Sequence, residues 1–326
     1  MTMQNHSGLL ARFDTRRHIG VPAASAFVLL LASACESSTG PRPVDRSTPI
    51  MFQSVRDAGS GVYLTSDDGH RIVPFDVGNS DARTGDWSPD GTAIVYTRLA
   101  PTMQVWLAYA DGSHPLQLTH STGSSSEPRW MPNAAGISYL NNDDPFDWGI
   151  NAMRVDGANP HRLSNTAKAF GPYSWSADGR VVFARYDAIA VPGTGEYRSV
   201  SHLYVADTTQ AAPVQLAAND DCGDRDPEWS PDGSKIVFAS CSANKSSIVV
   251  INPDGTGRVV LTNGDGVDSR PTWSPDGRRI AFQRGTGNSA DVWVMSADGT
   301  NAVNITRGNP LFDGAPKWNR QLPVPG

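Results

Sequence analysis

Cysteine is scarce in this sequence: three in 326 residues. That excludes a small scaffold held together by disulfides. No C-x-x-C pair is present, so dithiol redox chemistry is excluded as well. Charge is also thin. Asp, Glu, Lys and Arg make up 18% of the chain, the net charge is −6, and no basic stripe occurs. Nucleic acid and anionic membrane surfaces are therefore poor partners. The one strongly apolar run, Ala23 to Ala34, is too short for a permanent bilayer span. No G-x-S-x-G elbow, H-x-x-x-H pair or Cys/His cluster appears, which removes the usual signatures of serine hydrolases and zinc sites. His70, His114 and His161 fall at or beside turns of three different repeat units and do not converge on one metal.

What the chain does contain is a repeat. Trp273-Ser274-Pro275-Asp276-Gly277 is followed by the apolar run Ile280-Ala281-Phe282. Pro and Asp suit the central positions of a type I turn, and Gly suits the left-handed position after them. The reading is strand, tight turn, strand. The motif recurs at Trp87, Trp175 and Trp229, in degraded form at Trp130-Met131-Pro132-Asn133, and truncated at Trp318-Asn319. The six tryptophans are spaced by 43, 45, 54, 44 and 45 residues, the size of one four-stranded propeller blade. A second hairpin interleaves with the first, turning at Asp68-Gly69, Asp111-Gly112, Asp156-Gly157, Asp254-Gly255 and Asp298-Gly299; Asp207-Thr208-Thr209 stands in the fourth unit. Each unit is strand A with the Trp, turn, strand B, loop, strand C, turn, strand D. The last unit carries strand A alone and the first lacks it. The expectation is an all-β, six-bladed propeller of four-stranded antiparallel blades, with N- and C-terminal strands sharing one blade.

The W-S-P-D-G motif, the apolar strand after it and the Asp-Gly hairpin resemble the TolB-type propeller repeat, over roughly residues 50–319. The resemblance implies the fold and says little of function, since similar repeats occur in binding proteins and in peptidase propellers. The start of the repeat at Ile50 leaves no room for the α/β domain that precedes the propeller in TolB itself.

Residues 1–34 read as a secretory leader: Arg12, Arg16 and Arg17 precede the apolar run, and Leu31-Ala32-Ser33-Ala34-Cys35 follows it. This resembles a bacterial lipobox, which implies cleavage before Cys35 and lipidation of that residue. Residues 35–48 read as a flexible tether. Glu36 rather than Asp follows the cysteine, which favours the outer membrane where the aspartate rule sorts lipoproteins. The propeller is assigned to 49–321 and a short tail to 322–326. The remaining cysteines, Cys222 and Cys241, flank the fourth Trp hairpin, and their midpoint falls between Pro231 and Asp232. They should lie nearly opposite one another on strands A and B, and a disulfide is expected in an oxidising compartment.

Strand alternation puts the A–B and C–D turns on one face and the irregular B–C and D–A connections on the other. The second face is where binding is expected. It holds the 141–147 loop, the insertion from about Tyr186 to Ser201, and the 219–224 loop. Asp224, Asp268 and Asp313 each stand five residues before their Trp, and convergence near the axis would let them hold a hard cation such as Ca²⁺. Otherwise each caps the turn into its own strand. Glu127, Asp226 and Arg270, three before their Trp, would add charge and partial neutralisation, making them candidates for contact with a partner. Arg98, Arg185 and Arg284, two residues after the strand-B aromatic, are placed to pair with carboxylates between loops. The preferred reading is a non-catalytic, monomeric, lipid-anchored envelope propeller that binds a protein or peptide partner and needs no cofactor. The alternative is a metal-dependent propeller enzyme acting on a carbohydrate or ester.

Overall fold

The computed structural model describes residues 49–319, apart from 57–58, 79–80, 100, 144–147, 164–165, 208–211, 217–221, 243–244, 264–265 and 287–288. The leader, the tether, Cys35 and the tail lie outside the described residues, as do parts of the 141–147 and 219–224 loops and the Thr208-Thr209 turn.

Six four-stranded antiparallel sheets form, each built from one repeat unit. The innermost strands are β4 (Ala82–Trp87), β8 (Ser125–Trp130), β12 (Ala169–Trp175), β16 (Asp224–Trp229), β20 (Asp268–Trp273) and β24 (Asp313–Trp318). They belong to blades 2, 3, 4, 5, 6 and 1. Blade 1 is the shared one: β24 pairs with β1 (Ile50–Arg56), with Ile50 opposite Trp318 and Ser54 opposite Asp313. The ring therefore closes by a ladder between the two ends of the fold, and no inner strand is left without a paired neighbour.

The W-S-P-D-G turn forms as its residues dictate. In blade 6 the Gly277 amide donates to the Ser274 carbonyl at 2.9 Å, and Gly277 takes φ +68°. The Ser274 hydroxyl donates to Asp276 at 2.6 Å and accepts from the Arg279 amide at 2.9 Å. Two side chains thus complete a turn that the backbone alone leaves half-bonded. The Asp-Gly turns need glycine for a different reason. A Cβ on Gly69 would lie 2.1 Å from the Ile305 carbonyl oxygen, and one on Gly112 would lie 2.1 Å from that of Asp76. Each of these turns presses directly on the backbone of the preceding blade.

The core lies in the seams between blades. The Trp side chains are buried there, with Trp229 and Trp318 among the largest fully enclosed side chains. Strand-B residues such as Ile236, Val237, Phe238 and Ala239 are covered on both faces by neighbouring blades. Cys222 and Cys241 form a disulfide with a Cα–Cα distance of 5.6 Å, just outside the point where the Gly223 carbonyl accepts from the Cys241 amide.

The expected loop from Tyr186 to Ser201 is instead an extension of a hairpin. Strands β13 (Arg180–Ala190) and β14 (Tyr197–Asp207) pair continuously from Arg180↔Asp207 to Ala190↔Tyr197. Tyr186, Ile189, Tyr197 and Val200 are aromatic or β-branched and favour strands, and Pro192-Gly193-Thr194-Gly195 supplies the reversal.

The turn carboxylates set the acid limit of the fold. Hydrogen bonds from Arg180 and Ser176 hold Asp178 down at about 2, and Ser230 with Ser234 lowers Asp232. A depressed carboxyl stabilises the folded state above its unfolded value near ~3.9 and loses that contribution as pH falls through the folded value. Thermal melts should thus be flat from neutral pH to about 4.5 and fall steeply between about 4 and 2. Asp178→Asn should lower the plateau and flatten the acid limb.

Candidate functional site

The axis is lined by the three residues that precede each Trp. In all six inner strands a bulge interrupts pairing there: the register shifts between Arg83 and Asp86, Ser126 and Arg129, Phe170 and Ser174, Arg225 and Glu228, Ser269 and Thr272, and Gly314 and Lys317. Glu127, Asp226, Arg270 and Ala315, three before their Trp, all take left-handed backbone, with φ 49°, 55°, 49° and 50°. Each precedes a proline: Pro128, Pro227, Pro271 and Pro316. Proline bars its predecessor from right-handed helical geometry and offers no N–H to a ladder the bulge has already broken. A left-handed non-glycine residue costs roughly 1–2 kcal/mol, so holding four of them in register is a substantial conformational expense.

This geometry brings Glu127, Asp226 and Arg270 together from blades 3, 5 and 6. The Arg270 guanidinium meets Glu127 at 3.4 Å, and its backbone amide donates to Asp226 at 3.2 Å. Arg129 meets Glu127 from the other side at 3.1 Å. Burial pushes the Glu127 carboxyl up, but Arg270 and Arg129 more than reverse this and hold it below its usual range. Burial likewise disfavours the charged form of Arg270, and Glu127 with Asp226 overcomes it. Both groups stay ionised at neutral pH. The Arg270 side chain remains 39% exposed to the channel solvent.

The residue just before each Trp couples the blades and went unnoticed in the sequence. Asp86 accepts from the Trp130 amide at 3.1 Å, Ser174 from the Trp229 amide at 3.2 Å, and Glu228 from the Trp273 amide at 3.0 Å. Glu228 also accepts from the Thr272 hydroxyl and pairs with Lys317, so one carboxylate binds three inner strands. Arg129 donates to the carbonyls of Tyr173 and Gly85, spanning blades 2 to 4. The signal available was a polar residue held next to a core Trp in every copy: Asp86, Arg129, Ser174, Glu228, Thr272 and Lys317.

Asp224, Asp268 and Asp313, offered as a convergent cation site or as separate local contacts, are each engaged within their own blade. Asp268 is held by Arg284 at 2.7 and 2.9 Å, Asp313 by Arg56 at 3.0 Å together with Ser54, and Asp224 by Arg258 at 3.4 Å. Arg284 and Arg56 belong to strand B of the same blade, and Arg258 to its C–D hairpin. Among the described residues no group of three or more His, Cys, Asp or Glu side chains could hold a metal. Of the three repeated arginines only Arg284 pairs with one of these aspartates. Arg185 pairs with Asp187 at 3.1 Å, and Arg98 lies over the Trp106 ring at 4.8 Å. The residues opposite them on the inner strand, Ala169 and Ala82, offer no carboxylate.

With this geometry established, comparison with known proteins is informative. The family model described as the TolB β-propeller domain matches residues 148–320. The chain belongs to this family. Atu1656, an uncharacterised protein of Agrobacterium fabrum, is 25% identical over 240 residues, covering 72% of this chain and 78% of its own. YuxL, an uncharacterised peptidase of Bacillus subtilis, is 32% identical over 189 residues, 47% of this chain but 28% of that protein. The crystal structure of TolB from Acinetobacter baumannii superposes with a TM-score of 0.70 at 18% identity, covering 85% of this chain and 67% of that one. At that identity the likeness establishes the fold alone.

In this TolB-type propeller the Glu228–Lys317 pair is buried on both sides. Removing one partner of a buried pair leaves an uncompensated charge and costs about 3–5 kcal/mol. Lys317→Met should therefore shift the denaturant midpoint down by that equivalent, and the double variant Glu228→Gln, Lys317→Met should recover most of it. Equal destabilisation in single and double variants would mean that the pair does not join the strands.

Proposed function

We propose that this chain is a non-catalytic, lipid-anchored protein of the cell envelope whose propeller binds a protein or peptide partner through its loop-rich face. The observation that carries this is the axial ring. Charged side chains from three blades meet there on strained, fixed backbone, yet the enclosed space is only about 30 Å³. Small-molecule sites are roughly 300–1,000 Å³. The ring has room for a water or two, so recognition by Glu127, Asp226 and Arg270 must come from groups that a larger partner lays over the mouth. Complementary charge there would favour fast and specific encounter more than raw affinity.

The β13–β14 hairpin supports the same face. It extends from a B–C connection, and Tyr186 and Tyr197 stand 55% and 73% exposed on it. Tyrosine presents large contact area with few rotors and a polar tip, which suits it to interfaces. The lipobox-like Cys35 and the tether would hold the propeller at a membrane while leaving this face free. Glu36 points to the outer membrane.

Two measurements test the reading. A photo-crosslinking residue placed at Tyr197 or Leu311 on the loop-rich face should trap a discrete protein adduct in living cells, and one at Thr300 on the turn face should not. Arg270→Ala should weaken the Leu311 adduct several-fold without lowering the melting temperature. Adducts from Thr300 alone would refute the assigned face. Separately, Cys35→Ser should abolish labelling by radioactive palmitate and release the chain from the membrane fraction; unchanged labelling would remove the lipid anchor from the proposal.

A further inference from the structure

Each blade fills the seam with its predecessor by a row of residues paired across its strands B and C. In blade 1 the row is Phe52 opposite Tyr63, in blade 2 Tyr96 opposite Trp106, in blade 4 Phe183 opposite Tyr204, and in blade 6 Phe282 opposite Trp293. Blade 5 has Phe238 opposite Val249. Arginines cover several of these rings: Arg98 lies 4.8 Å from Trp106, Arg185 3.8 Å from Tyr204, and Arg284 4.8 Å from Trp293.

Blade 3 keeps the strand-B aromatic and departs around it. Tyr139 stands opposite Asn151, so an amide replaces the second ring. Asn141 stands where blades 2, 4 and 6 have an arginine, and Ser125 where blades 1, 5 and 6 have an aspartate. Loss of the ring and the long arginine leaves a cavity of about 480 Å³ between blades 2 and 3. That lies within the roughly 300–1,000 Å³ of small-molecule sites.

The cavity is finished with polar groups rather than left as a packing fault. Tyr139 lines it, is 4% exposed, and has no hydrogen-bond partner among the described residues. The Tyr139 hydroxyl oxygen is not sealed from solvent and opens on the cavity, where it can exchange hydrogen bonds with a ligand hydroxyl. The Asn151 amide beside it is likewise uncommitted. At the upper rim Asp143 is fixed by Asn141 at 3.2 Å and by the Gly123 amide at 2.9 Å, so its carboxylate is already oriented. At the lower rim the His161 Nδ1 meets the Asn159 carbonyl, which leaves Nε2 towards the cavity. Leu118 and Met153 give apolar surface. Arg162, the cation at the rim, already donates to the Trp148 carbonyl at 2.7 Å.

From these observations we infer that the seam between blades 2 and 3 binds a short neutral saccharide, one or two pyranose units long. A phenol, an amide, an oriented carboxylate and an imidazole, with the apolar Met153 beside Asn151 on blade 3 and Leu118 on blade 2, match a ring whose edge carries hydroxyls and whose face carries C–H groups. The site is separate from the axial ring and stands or falls independently of the partner-binding proposal.

The test uses the full chain and three probes, maltose, cellobiose and N,N′-diacetylchitobiose, read by saturation-transfer NMR and titration calorimetry. At least one should bind with a dissociation constant below about 10 mM. Asn151→Trp restores the ring found in blades 2 and 6 and should abolish that binding. Tyr139→Phe removes one hydroxyl and should weaken it by about tenfold, the equivalent of one hydrogen bond to the ligand. Where Asn151→Trp fails to fold, Tyr139→Phe decides. No binding of any probe, binding unchanged in a folded variant, or binding of inorganic phosphate in place of the sugars would each overturn the assignment.

Discussion

The structure depends on hydrogen bonds made at the axis between one blade and the next. A bulge in each inner strand breaks its own ladder, and the Trp amide beyond the bulge is then free to reach a side chain of the preceding blade. Asp86, Ser174 and Glu228 accept these bonds, and each acceptor is the residue just before a Trp. The same short segment therefore supplies the core side chain, the donor towards one neighbour and the acceptor towards the other. Glu228 extends the scheme by bridging to Lys317 on the strand that closes the ring. Blades that pack by apolar contact alone could slide against one another; these bonds fix their rotation about the axis.

Much of this was legible in the sequence because the repeat is regular. Trp spacing, the Pro-Asp-Gly turns and the missing strands at the two ends were enough to define six blades and their closure, and Cys222 with Cys241 lie where the turn midpoint placed them. The axial residues were only partly readable. Glu127, Asp226 and Arg270 were identified as equivalent, and they do meet. Asp224, Asp268 and Asp313 were equally equivalent, yet equivalence did not mean convergence. A bulge inserts one residue and inverts the in-out alternation, so positions on either side of it cannot share a face. Asp268 ends opposite Arg284 within its own blade rather than on the axis. The prolines before five of the six tryptophans, Pro128, Pro172, Pro227, Pro271 and Pro316, were the available sign of that bulge. The stretch from Tyr186 to Ser201 was expected as an irregular insertion and is a paired hairpin, because Tyr186, Ile189, Tyr197 and Val200 favour strands on either side of the Pro-Gly tip.

Departures from a repeat carry information that the repeat itself does not. Where all copies agree, as in the W-S-P-D-G turns, the cause is local geometry and holds for any propeller of this kind. In blade 3, Asn151, Asn141 and Ser125 all line the same cavity rather than being scattered over the blade. Blade 4 differs by lengthening one hairpin and raising it above the ring. These two blades give an otherwise near-symmetric scaffold a direction and a front.

The shared blade also has a kinetic consequence. Ser54 and Asp313, bonded across the closing ladder, are separated by 259 positions in the chain. Contacts of such long separation form late, since the intervening chain must be ordered before they are rewarded. As the polypeptide emerges vectorially, blades 2 to 6 can each complete a sheet while β1 waits without its inner partner. Until residue 318 arrives, the growing arc exposes an unpaired strand edge at one end and an uncovered seam at the other, surfaces prone to association with other chains. Anything that shields the β1 edge during synthesis would act on the yield of this protein without touching its final stability.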